Sequence, residues 1–204
     1  MQSLNRLKSD RPRHERDFYE TPSGLCTMAL KRWKADFGLS SDYGYVGLDA
    51  GSGNGVWGKS FRKVFRNRVS YGVDIHKYET EDIYDKVMVE DFLSGDFVAG
   101  KGYDLVYGNP PYSHAEEFVR QGLKVGQNVY FLFRLAFLET KKRYFGLFKD
   151  HPPRKVYVLS RRPSFFRKEN GNIGTDSMSY AMFYWKKGYE GKPDLDWMYW
   201  EYDD

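Results

Sequence analysis

The sequence predicts a doubly wound α/β protein, and three observations lead there. Short β-branched and aromatic runs alternate with stretches of helical spacing, the pattern of successive βα units. A glycine-rich loop, Ala50-Gly51-Ser52-Gly53-Asn54-Gly55, joins the first such run to a helical stretch. Acids or a polar turn then close the early runs, at Asp49, Asp74, Asp91 and Asn109. In open α/β sheets, ligand sites gather at these carboxyl ends.

The bulk numbers fit one soluble domain. A chain of 204 residues, 41% hydrophobic and 29% charged, can bury a single substantial core. A formal charge of +4 leans towards a polyanionic partner, and 18% aromatic residues suit both core packing and stacking on bases. One cysteine, Cys26, excludes a disulfide framework and a cysteine-rich zinc site. No apolar run reaches the roughly 18 residues of a membrane span, and the start is charged rather than signal-like, so a cytoplasmic protein without membrane contact is expected. The expected layout is a basic arm over 1–16, one domain over 17–188 and a polar tail over 189–204.

In order, Thr21 and Pro22 read as the N-cap and first position of a helix whose apolar stripe is Cys26, Ala29, Leu30, Trp33 and Phe37. On that stripe Cys26 reads as core rather than nucleophile. Strands are expected near 45–49, 69–73, 86–89, 103–107, 128–133, 155–159 and 179–185, seven in all. Trp57, Phe61, Val64 and Phe65 give the helix after the glycine loop its apolar face. That loop is no phosphate-cradling P-loop, because no Lys-Ser/Thr pair follows it. Ser113 and Glu116 have capping-box spacing ahead of a helix carrying Ala115, Phe118, Val119 and Leu123. His114 reads as a first-turn residue there, and 141–148 as a short helix.

The chemistry concentrates at strand ends. A carboxylate closing the second strand, Asp74, can accept both hydroxyls of a ribose. Asp91 can accept from an adenine amino group, with Ile75 or Phe92 covering the ring face. Each acid also has a surface or capping reading. The fourth strand ends in Asn109-Pro110-Pro111-Tyr112, where two prolines cannot continue a ladder and stiffen the turn. An amide and a ring fixed there suit a flat, amine-bearing group. Finally, the 161–175 loop interleaves Arg161, Arg162, Arg167 and Lys168 with Phe165 and Phe166. It reads as a nucleic-acid contact, or else as a loop folded back over the core.

On these motifs the sequence resembles the S-adenosylmethionine-dependent amino-methyltransferases, and within them the compact, phage-type DNA N6-adenine enzymes. The resemblance spans about 17–185. It implies a seven-stranded, mostly parallel, Rossmann-like class I methyltransferase sheet, with the seventh strand antiparallel between the fifth and sixth. It implies that Asp49, Gly51 and Gly53, helped by Tyr19 and Thr21, hold the cofactor's methionine part, while Asp74, Ile75, Asp91 and Phe92 hold its adenosine. Asn109 Oδ1 and the Pro110 carbonyl would accept the two hydrogens of the target amine, and Tyr112 would stack on a flipped base. Methyl transfer to an amine needs no covalent cysteine, in keeping with Cys26 lying elsewhere. No large target-recognition segment is present. That points to short-site specificity, to a protein partner supplying recognition, or to a substrate other than DNA, such as RNA adenine or a protein glutamine. A non-catalytic relative that binds nucleic acid or protein is the remaining alternative.

Overall fold

In the computed structural model, described over residues 20–38, 43–95, 102–165 and 177–202, eight strands form one sheet in the order β3-β2-β1-β4-β5-β7-β6-β8. The strands are β1 (Tyr45–Ala50), β2 (Arg68–Asp74), β3 (Lys86–Val89), β4 (Leu105–Gly108), β5 (Asn128–Arg134), β6 (Lys155–Leu159), β7 (Tyr180–Lys186) and β8 (Asp194–Met198). β7 runs antiparallel to both β5 and β6, and the other pairings are parallel. The order reverses between β1 and β4, which opens a crevice at their carboxyl ends.

Helices cover both faces. On one side, α1 (Ser23–Phe37) and α2 (Val56–Val64) bury Leu25, Cys26, Leu30, Trp33, Trp57 and Phe61 against Tyr107, Tyr130 and Tyr184. On the other, α3 (Ala115–Val125) packs Phe118, Val119 and Leu123 on Val106, Val129 and Phe131. After β5, a turn at Leu135–Leu138 leads to α4 (Lys141–Arg143), which widens into a π turn, Tyr144–Phe148, rather than the plain helix expected. No helix among the described residues is long and apolar enough to cross a membrane.

Three sequence expectations change. Thr21 does not cap α1: Pro22 holds that position and no side chain caps the helix. The 113–116 spacing makes no capping box either, because Tyr112–His114 forms a 3-10 turn and His114 becomes the N-cap without a side-chain cap.

The third change concerns the expected tail. Residues 194–198 add β8 to the sheet edge beside β6, and Trp200 is fully buried with its Nε1 donating to the Arg161 carbonyl at 2.8 Å. The charged and aromatic residues that made this stretch look polar alternate by face. Leu195, Trp197 and Tyr199 are exposed, while Met198 and Trp200 enter the core. Trp200→Ala should therefore cost about 3–5 kcal/mol in denaturant unfolding, against about 0.5 kcal/mol or less for Trp197→Ala. Equal small losses would mean that the segment does not belong to the core.

Candidate active site

The carboxyl ends of β1, β2, β3 and β4 meet at a cavity of about 330 Å³. Its floor is the glycine loop, where Gly51, Gly53 and Gly55 all take left-handed φ and turn the chain from β1 into α2. Gly55 itself is the N-cap of α2, at φ 82°. The loop is tied to its neighbours: Gly51 and Ser52 donate to the Val73 carbonyl, and Gly53 N donates to Asp74 Oδ2 at 3.0 Å. Asp74 Oδ1 accepts from His76 N at 2.9 Å, so the carboxylate is held in place by two backbone amides while it faces the cavity. Lone pairs remain on both oxygens for hydroxyl donors. Asp91, exposed at the end of β3, accepts from Leu93 N at 2.9 Å and lines the same space with Ile75 and the buried ring of Phe92.

Thr21, Gly51, Gly53, Asp74, Ile75, Asp91 and Phe92 thus share one cavity with Asn109. Thr21 reaches it by a route the sequence did not suggest. Its buried Oγ1 accepts from Trp57 Nε1 and from Asn109 Nδ2, each at 3.2 Å. An indole N–H can only donate, so it fixes the hydroxyl as an acceptor at that bond. With Nδ2 drawn to Thr21, Oδ1 lies on the other side of the Asn109 amide. At the rim, Asn54 Nδ2 donates to Glu20 Oε1 at 2.8 Å. Glu20, Trp57, His76, Tyr78, His114 and Phe118 also line the cavity and were missed. Trp57 and Phe118 are legible only as core and His114 only as a first-turn residue, while Glu20, His76 and Tyr78 carry no signal of their own.

Asp49 departs from its expected role. It is fully buried beneath the loop, where Oδ2 accepts from the Tyr84 hydroxyl at 2.6 Å. Tyr84 gets there because Gly58 of α2 and Gly72 of β2 leave room for its ring; a Cβ on either would lie within 3 Å of it. Oδ1 sits against Gly108, whose φ of 143° and lack of a Cβ allow the close approach. Asp49 therefore supports the floor from below and does not line the cavity.

Pro110 is buried, and it is Pro111 that faces the cavity. Tyr112 packs beside Phe133 and Tyr180, with the Arg134 guanidinium 5.1 Å over its ring. Phe165 lies edge-on to that same Tyr180 at 5.1 Å, which places it one ring away from Tyr112. Arg161 and Arg162 are exposed, and Arg161 stacks 4.7 Å over Tyr202. Tyr19, Phe166, Arg167, Lys168 and the basic arm 1–16 lie outside the described residues.

No protein-family model and no curated protein matches the chain. Solved structures do. The methyltransferase subunit of a type I restriction-modification system from Streptococcus thermophilus matches 89% of this chain and 47% of its own, at 14% identity and a TM-score of 0.67. The fold is that of the class I methyltransferases. This chain spans about half the length of that subunit. Magnesium protoporphyrin IX methyltransferase from Synechocystis, crystallised with bound SAM, matches 81% of this chain and 79% of its own at 12% identity, with a TM-score of 0.52. The 23S rRNA methyltransferase ErmE matches 86% and 71% at 12% identity, also at 0.52.

Burial, followed by the charge of nearby Asp74, pushes the Asp49 carboxyl up from 3.8 to about 7, against the opposing bond from Tyr84. A carboxyl whose pKa is raised on folding favours the neutral form in the fold. Its contribution to stability therefore declines as pH rises between about 4 and about 7. Asp49→Asn should gain on the wild type across that window, read as the difference in their denaturant midpoints at pH 4.5 and 7.5. A difference that does not move with pH would contradict the burial argument.

Proposed function

We propose that the protein transfers a methyl group from S-adenosylmethionine to the exocyclic N6 amine of adenine in DNA. The observation that carries this reading is the Asn109 amide, fixed through Thr21 on the wall of a cavity that also holds Asp74 and Asp91. The donor set fits the cofactor. Asp74 suits the ribose hydroxyls, Asp91 the adenine amino group, Ile75 and Phe92 the ring, and the glycine loop the methionine part. When bound, S-adenosylmethionine supplies an electrophilic methyl on a positively charged sulfur.

The adenine amine is a poor nucleophile because its lone pair is delocalised into the ring. Asn109 Oδ1 and the Pro110 carbonyl accept its two hydrogens, which favours a pyramidal nitrogen with the lone pair directed at the methyl. The amine lone pair would take the methyl, the cofactor sulfur would keep the electron pair of the broken C–S bond, and the proton lost by nitrogen would pass to solvent. The work of the protein is positioning and acceptor electrostatics. Thr21 contributes by taking the Nδ2 hydrogen bond, which leaves Oδ1 for the amine. Tyr112 would offer its ring to the base once the Arg134 guanidinium moves off it, with Phe165 nearby and Arg161 and Arg162 available to the backbone. A partner protein would extend recognition beyond what this chain carries.

The Asn109–Tyr112 motif suits any of the three acceptors. What favours DNA is the resemblance of the whole motif set to compact DNA N6-adenine enzymes, and a TM-score of 0.67 to a restriction-modification methyltransferase subunit against 0.52 to the 23S rRNA methyltransferase ErmE. The test is transfer of labelled methyl to DNA, RNA and protein, with mass analysis of the modified nucleoside. N6-methyladenine in DNA is expected, with the rate lowered by about 10²–10³ in Asn109→Ala. Thr21→Val should lower turnover while Thr21→Ser restores it. Label found only in RNA or in protein would overturn the DNA assignment.

A further inference from the structure

The segment after β5 carries a surface that the sequence motifs do not account for. β4 and β5 are parallel neighbours, with Gly108 opposite Phe131, so the chain leaving β5 emerges at the same sheet edge as Asn109. β5 ends in Arg134, whose guanidinium covers the Tyr112 ring. Lys141, Lys142 and Arg143 follow within ten residues, against one acid, Glu139. Both lysines are exposed. Next come two adjacent aromatic side chains, Tyr144 and Phe145, which stay 63% and 57% exposed while packing edge-on to each other at 4.9 Å. Leu138 is also exposed.

This surface is held in shape. Thr140 sits at φ 93°, the positive-φ residue other than glycine among those described. A β-branched residue there is strained and persists where its surroundings enforce it. Arg143 lies around it, with polar contacts of 3.4 to 3.5 Å. Its backbone N donates to Thr140 Oγ1, its guanidinium reaches the carbonyls of Ala136, Phe137 and Glu139, and it stacks 4.6 Å over Phe137. Phe137 and Leu147 anchor the two ends of the segment in the core. Paired exposed aromatics flanked by lysines, on a rigid support next to the site, match what a nucleic-acid strand requires: point charges for phosphates and flat faces for sugars and bases.

We propose that residues 138–145 form a docking ridge for the DNA that carries the target adenine, with Lys141 and Lys142 on phosphates and Tyr144 and Phe145 against sugar or base faces. The proposal rests on the DNA reading above and assigns it a second contact segment, in addition to 161–175. The test uses the full chain, a fluorescein-labelled duplex and anisotropy titrations over a range of salt concentrations. Lys141→Ser with Lys142→Ser should flatten the slope of log affinity against log salt by about 1.8, the release expected for two phosphates at about 0.9 each. Tyr144→Ala with Phe145→Ala should weaken binding by about tenfold and leave the slope unchanged. Both variants should bind S-adenosylhomocysteine like the wild type, which certifies their fold and separates the ridge from the cofactor site.

Wild-type affinity and slope in both variants would overturn the ridge even where labelled methyl still reaches DNA. A wild type that binds RNA and not the duplex would overturn it as well. Failure of methyl transfer alongside duplex binding that depends on the ridge would instead count against the catalytic reading and leave the ridge standing.

Discussion

Thr21 Oγ1 accepts hydrogen bonds from the Trp57 indole and the Asn109 amide, and those two bonds join three parts of the chain that are far apart in sequence. The entry to α1, the first turn of α2 and the exit of β4 all become walls of one cavity through this oxygen. Under the proposed function it also bears on which end of the amide is presented. An asparagine able to turn over would offer its NH₂ to an amine as readily as its oxygen, and two donors repel. With Nδ2 on the Thr21 oxygen, the proposed reading gives Oδ1 to the amine.

A second layer lies beneath the first. Tyr84 passes between Gly58 and Gly72 and donates to Asp49, which sits under the glycine loop and against Gly108. A carboxyl in such a place is costly to ionise, and its pKa of about 7 reflects that. It keeps β1, the loop and the start of the β4 exit in close register, so that Asp74 and Asn109 face the same space. The cavity-facing residues are supported by polar groups that do not themselves reach the cavity.

Much of this was legible in the sequence. Strand ends follow from period and composition, and the acids Asp74 and Asp91 could be placed because parallel strands put all such ends on one edge. Asp49 lies deeper than the strand-end rule suggests because β1 is a central strand covered on both faces, so Leu48, Asp49 and Ala50 are all fully buried. Tyr84 was invisible because its role depends on two glycines in other elements. The same applies to Thr21, where local capping preference lost to a tertiary bond with Trp57. β8 was missed because an edge strand with one solvated face and several charges looks like a tail, and Trp200 shows its burial only once the sheet is assembled.

The central claim is that this cavity binds S-adenosylmethionine with Asp74 on the ribose, and isothermal titration with S-adenosylhomocysteine tests it most directly. A single site is predicted, weakened at least about tenfold by Asp74→Ala, the loss expected for hydrogen bonds to a charged acceptor. No detectable heat at millimolar ligand, or an affinity that Asp74→Ala leaves untouched, would contradict it.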